Sequence, residues 1–378
     1  MLREARGLSR LAVEAVTGAT DIAEDLHRTI LSLAPVVGRI PDVRAGGLTG
    51  MIYRSVRGIA RATGTGIDVV LSSFETSSQK ERGSPRRDAL LAALNGVVGD
   101  HLEASGSPLA IPMRLRCEGR DLAIGTPPLC AGSGSRLLVM VHGLCMNDLQ
   151  WRKHERELGA VLADGFGFTP LHLHYNTGLA IERNGEAFAL LLQDLVDSWP
   201  QEVKELVIVG HSMGGLVTQS AWRHAHATGQ RWPALTSKRF YLGSPLQGAP
   251  LERSGEWFNR VLGGSPYLAP FTRLGNLRSQ GIKDLRHGIG TDRRIGTQDT
   301  RGLHLIAASR RASPKTRMRT PAGDGLVPVD SALGRHHSPA RAFPLSERRR
   351  HVIWECSHLD LLWHPGVHEC LAQWMRQG

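Results

Sequence analysis

The sequence predicts an α/β fold: a mostly parallel central sheet flanked by helices, preceded by an N-terminal helical extension and interrupted by a cap-like insertion. Three observations carry this. From about residue 108 onward, short β-rich runs alternate with helical stretches. The strongest runs, RLLVMV and ELVIVG, are continuously apolar, as expected of strands buried on both faces. One of them leads directly into Gly-x-Ser-x-Gly and then into a helical pattern, a junction typical of doubly covered sheets.

In order, LAIPMRLRCEG and RDLAIG read as two short strands joined by a Cys-Glu-Gly-Arg turn. RLLVMVHG is a strand, WRKHERELGAVLADG a helix, FTPLHLHYNTG a strand and AIERNGEAFALLLQDLVDSWP a long amphipathic helix. ELVIVGHS, KRFYLGSP, GLHLIAASR and HVIWECSH are further strands, and HPGVHECLAQWMRQG is a closing helix. Ahead of these, residues 1 to about 75 carry helical spacing, followed by the polar linker SSQKERGSPRRD and a short helix, DALLAALNGVVGDHL. The division drawn is a helical region with linker over 1–95 and a sheet-and-helix unit over 108–378, with 251–300 as a candidate cap or lid insertion.

With 378 residues, 41% hydrophobic and 21% charged, the chain has enough apolar material for a large core, which excludes wholesale disorder. Its five cysteines form no CxxC pair and no zinc spacing. An odd number in a long chain speaks against a disulfide framework, so each cysteine is expected to be a small buried apolar residue in a reducing compartment. No secretory h-region follows Met1-Leu2-Arg3-Glu4-Ala5-Arg6, and no apolar run reaches the ~18 residues of a membrane span. A cytoplasmic location is expected, with peripheral membrane contact left open. Residues 271–350 hold 17 Lys/Arg against 6 Asp/Glu, which accounts for the whole net charge of +11. Their arginine pairs lack interleaved aromatics and any nucleic-acid module, so a solvated basic face is expected and no nucleic-acid partner.

The chemistry concentrates at Val209-Gly210-His211-Ser212-Met213-Gly214-Gly215. Ser212 is the candidate nucleophile, held on a sharp strand-to-helix turn whose glycines avoid collision and whose helix aims free N–H groups at developing negative charge. A serine hydroxyl needs a base and an orienting acid, expected downstream in the order acid, then histidine. Asp324 in AGDGLVP is the first candidate acid and Asp330 the second. His358 in ECSHLDLL, at the end of the last strand-like run, is the candidate base. The oxyanion donors are expected to be the backbone N–H groups of Met213 and of Leu144, which follows Gly143 after an early strand.

RLLVMVHGL, LVIVGHSMGGLV, YLGSPLQGAP, GDGLVP and SHLDLL, in this order, resemble the lipase/esterase branch of the α/β-hydrolase superfamily. GHSMGG is similar to the elbow of bacterial triacylglycerol lipases and of GPI inositol-deacylase-like lipases. Gly243-Ser244-Pro245 through Gly248-Ala249-Pro250 resembles their Gly-Thr-Pro-His-x-Gly turn, with Ser and Leu replacing Thr and His. The resemblance spans roughly residues 108–378. It implies an α/β-hydrolase fold and hydrolysis of a small-molecule or lipid carboxylic ester through an acyl-enzyme, without metal or organic cofactor. Thioesterase, polyester depolymerase and acyltransferase chemistry use the same scaffold, and a catalytically silent relative is a further alternative. In the insertion, Trp257, Phe258, Tyr267 and Phe271 either line an acyl pocket or form helix core. The sequence leaves the oligomeric state open.

Overall fold

A computed structural model of the chain describes residues 85–123, 134–152, 157–249, 279–288, 296, 298–312 and 323–377. The expected N-terminal helices, most of the cap-like insertion and its aromatics Trp257, Phe258, Tyr267 and Phe271 lie outside the described residues.

Eight strands form one sheet in the order β2-β1-β4-β3-β5-β6-β7-β8. They are β1 (Arg114–Cys117), β2 (Arg120–Asp121), β3 (Arg136–Val141), β4 (Thr169–His174), β5 (Glu205–His211), β6 (Thr236–Leu242), β7 (Leu303–Ser309) and β8 (Arg350–Trp354). β1 runs antiparallel to β2 and β4, and every other pairing is parallel. Glu118 and Gly119 join β1 to β2 with positive φ at both positions (51° and 81°), the geometry of a two-residue hairpin turn.

The helices are α1 (Pro85–Ala104), α2 (Leu158–Phe166), α3 (Ile181–Ser198), α4 (Met213–Ala227), α5 (Trp232–Leu235), α6 (Gln280–Asp284), α7 (Val329–Ala332) and α8 (Pro365–Arg376). Strand side chains alternate between the faces and so divide the core in two. Leu137, Val139, Val141, Leu206 and Ile208 pack with Phe188 and Leu192 of α3 and with Leu216 and Trp222 of α4. Leu138, Met140, Val207 and Val209 face the other way, onto Leu158 and Leu162 of α2 and Val367, Leu371 and Trp374 of α8. Both faces of the central strands are thereby buried, which is why they read as unbroken apolar runs.

The helix expected over WRKHERELGAVLADG is two pieces. Asp148–Arg152 form a 3₁₀ turn, and α2 begins only at Leu158, after Glu157 in an extended conformation. At the C-terminal end His364, rather than opening the helix, caps it: its Nδ1 accepts the Gly366 N–H at 3.1 Å.

Helix α1 is longer than its sequence pattern suggested, with a break at Val98, and it packs on the sheet domain. Asn95 ties it down, donating to the Leu109 carbonyl at 2.8 Å and accepting the Ile111 N–H at 2.9 Å. Asn176 Nδ2 donates to the Gly99 carbonyl, and Ser279 Oγ to that of Gly96. The division drawn at residue 95 falls inside this helix. Arg116, only 5% exposed, ties α1, β2 and the loop beyond β3 together. Its guanidinium reaches Asp88 at 2.8 Å, Asp121 at 2.9 Å and the buried Asp148 at 3.0 Å. Burial works against its charge, but Asp88 and Asp148 outweigh it and raise its pKa above the ordinary arginine value.

Cys145, Cys356 and Cys370 are free and buried, and burial pushes each thiol up to about 12. Cys117 corrects the expectation for the remaining described cysteine: it is disulfide-bonded. The odd total argued against a framework of bridges, not against one bridge at the end of β1. With this bridge, the cysteines no longer point to a reducing compartment. No helix among the described residues is long and apolar enough to cross a membrane.

Candidate active site

Strand β5 ends at His211, and Ser212 follows in a left-handed conformation, φ 55° and ψ −122°, before α4 starts at Met213. A non-glycine residue held there is strained, and the surroundings enforce it. The Ser212 N–H donates to the Leu242 carbonyl of β6 at 2.9 Å, and its own carbonyl accepts the Gly215 N–H at 3.2 Å. The turn closes only because its flanks lack side chains. A Cβ on Gly210 would stand 2.7 Å from backbone atoms of Gly215, and one on Gly214 would strike the Val141 carbonyl.

Asp324 and His358 come together from separate loops beyond β7 and β8. His358 Nδ1 donates to Asp324 Oδ2 at 2.7 Å, with both side chains almost wholly buried. The other carboxylate oxygen, Oδ1, accepts the Leu326 and Val327 N–H groups, each at 2.8 Å. This local turn fixes the carboxylate so that Oδ2 faces the imidazole. With the proton on Nδ1, the His358 Nε2 carries the free lone pair that a general base requires. Asp330, the second candidate acid, is half-exposed on α7 and lies 3.5 Å from Arg335.

The His358 ring lies over Gly243, the residue after Leu242: a Cβ there would be 3.2 Å from its Cε1 and Nδ1. Gly243, at φ 60°, thus lets the imidazole rest against the strand end that holds Ser212 in place. Nucleophile candidate, base candidate and acid candidate therefore collect at the carboxyl edge of β5 to β8.

The loop after β3 approaches from the other side. A Cβ on Gly143 would lie 3.0 Å from Ser212 Cβ. Tyr175 donates its hydroxyl to the His142 carbonyl at 2.9 Å and stacks on the His142 ring at 4.6 Å between centroids. Thr177 Oγ1 accepts the Cys145 N–H at 3.1 Å, with Cys145 at φ 60°. Among the described residues, neither the Leu144 nor the Met213 N–H is paired with an acceptor. Two such amides, one at the head of a fifteen-residue helix, suit an oxygen that gains negative charge.

Residues outside the predicted set hold this frame. Tyr175 and Thr177, in YNTG, brace the loop carrying Leu144, and their signal is polar residues directly after a buried strand. His211 fills the variable position of the elbow motif, fully buried, with its Nε2 3.0 Å from the His358 carbonyl oxygen. Burial lowers the pKa of His142 to about 4 and of His211 to about 3, the latter with help from nearby His358. Among the described residues no group of three or more His, Cys, Asp and Glu side chains is placed to hold a metal ion.

This sheet order, with a strained serine between β5 and α4 and a histidine–aspartate pair beyond the last two strands, is that of an α/β-hydrolase: the chain has the α/β-hydrolase fold. More particularly, residues 185–263 match a family model described as PGAP1-like alpha/beta domain. No curated protein matches the sequence. Among solved structures the chain is similar to the mature form of the Bacillus licheniformis lipase BlEst2, at 16% identity over 70% of this chain and 97% of that one, with a TM-score of 0.42. It is also similar to the Pyrococcus furiosus esterase Pf2001, at 13% identity over 65% of this chain and 83% of that one, with a TM-score of 0.39. A lipase-esterase related protein from Clostridium acetobutylicum shows 10% identity over 71% and 98% of the two chains, with a TM-score of 0.38.

Proposed function

We propose that this protein is a serine hydrolase that cleaves carboxylic esters through an acyl-enzyme, with Ser212, His358 and Asp324 as its triad. The observation that carries the reading is the buried 2.7 Å contact between His358 Nδ1 and Asp324, set beside a serine held in a left-handed elbow. In the reaction, Ser212 Oγ attacks the ester carbonyl while His358 Nε2 takes its proton. The oxyanion receives the Leu144 and Met213 N–H groups. Collapse expels the alcohol, which leaves with the proton from His358. Water then attacks the acyl-serine by the same route and frees the acid. Asp324 holds the imidazole tautomer and stabilises the imidazolium, without taking the proton itself.

A series of p-nitrophenyl esters from acetate to palmitate tests this. Wild type releases p-nitrophenol, and Ser212→Ala lowers kcat/KM by about 10⁴-fold or more. The chain length with the highest kcat/KM defines the acyl class, and a preference for long chains supports a lipid substrate. Equal turnover by wild type and Ser212→Ala contradicts the reading. Added alcohol distinguishes the transferase alternative, because an acyltransferase converts the acyl group to a new ester in place of the free acid.

A further inference from the structure

We propose that His211 is a positioning residue for catalysis: through its Nε2–H it fixes the main chain of His358 and so aims the base at Ser212. The inference rests on the triad reading above and adds to it a residue that touches no substrate.

His211 occupies the position directly before Ser212 and is fully buried. Its Nε2 lies 3.0 Å from the His358 carbonyl oxygen, and the two imidazoles are 4.8 Å apart between centroids. A carbonyl only accepts, so Nε2 must carry the proton and His211 is a neutral donor. Burial favours this neutral form. Trp151 packs edge-on against the ring at 6.3 Å and holds its plane. The other nitrogen, Nδ1, is buried with no partner among the described residues, on the side of Gly143. An apolar side chain would fill this site without leaving a nitrogen unpaired. What the imidazole supplies and an apolar residue cannot is the bond to His358.

That bond completes the restraint on the base. Upstream of His358, Glu355 N–H donates to the Arg311 carbonyl and Cys356 N–H to that of Ser309, fixing the loop to the end of β7. Asp324 fixes the ring at Nδ1. Ser357 is held by its N–H to Asp360, and the bond from His211 is the hydrogen bond made by the main chain of His358 itself. A displacement of the order of 1 Å in a reacting group costs about 100-fold in rate.

Three substitutions separate positioning from packing. His211→Gln keeps an N–H donor near the place of Nε2, His211→Met has similar length without a donor, and His211→Phe keeps a ring without one. Folding is checked by near-ultraviolet circular dichroism, and active sites are counted by burst titration, so that kcat is expressed per competent site. His211→Met and His211→Phe are expected to lose about 10- to 100-fold in kcat with KM within about twofold, and His211→Gln to recover kcat to within about threefold of wild type. Wild-type kcat per site in either donor-less variant, or a Gln variant no faster than the Met variant, overturns the inference while leaving the triad standing. If Ser212→Ala is as active as wild type, the triad reading itself fails and this inference with it.

Discussion

Replacing His358 by alanine is expected to lower kcat/KM for the preferred p-nitrophenyl ester by about 10⁴- to 10⁶-fold. Without the imidazole nothing accepts the Ser212 proton, and the residual rate is left to the two oxyanion amides. Because base and nucleophile act as a unit, the double variant with Ser212→Ala is expected to be no slower than either single one. Asp324→Asn sharpens the test. The amide can still accept the Leu326 and Val327 N–H groups through its oxygen, so the loop persists. Its nitrogen then faces His358 Nδ1 and forces the wrong tautomer, for a loss of about 10⁴-fold. Asp330→Asn, altering only a half-exposed side chain near Arg335, is expected to leave kcat/KM within about twofold. A larger loss from Asp330→Asn than from Asp324→Asn reverses the assignment of the acid.

Acid is expected to unfold the protein steeply, because three imidazoles beneath the site are buried in the neutral form. Burial lowers His142 to about 4, His211 to about 3 and His174 to about 2. In the unfolded chain each titrates near 6.5. Between the folded and unfolded values the unfolded state binds protons that the folded state refuses, so stability is full above about pH 6.5 and falls as the pH drops. Each histidine contributes a slope of about 1.4 kcal/mol per pH unit, and the three together about 4 kcal/mol per unit from about pH 6 to pH 4. Against a typical total of about 5–15 kcal/mol, that slope brings unfolding about one to four units below pH 6.5. Calorimetry at stepped pH checks this through a falling Tm and an uptake of about three protons on unfolding near pH 5. A Tm unchanged from pH 7 to pH 5 contradicts the buried neutral state of these rings.

The elbow was legible because its residue types stand within seven consecutive positions, Gly210 being demanded by the backbone of Gly214 and Gly215, and because the flanking strand and helix announce themselves by period. The central strands were legible for a related reason: two-sided burial writes an unbroken apolar run. Pairings across long separations were not. The sequence ranks Asp324 ahead of Asp330 by its Gly-Asp-Gly setting after a strand, but only the turn at 324–327 shows how its carboxylate is held facing His358. Helix α1 extends beyond the expected DALLAALNGVVGDHL because its first residues, Pro85 to Arg87, belong by composition to the polar linker, and the pattern does not show that Gly96 and Gly99 are contact points. In the fold those glycines are where it presses closest on Cys145 and Asn176, a reason that local propensity cannot express. The buried cluster around Arg116 and the bond from His211 to His358 link residues 32 and 147 positions apart, beyond the reach of any periodicity.

Labelling with a fluorophosphonate probe, followed by peptide mapping, addresses the central claim most directly, since the phosphonate mimics the tetrahedral intermediate and bonds only to a serine activated by its base. One adduct is expected, on Ser212, abolished in Ser212→Ala and slowed by orders of magnitude in His358→Ala. A folded wild type that takes no label, or takes it at another serine, contradicts it.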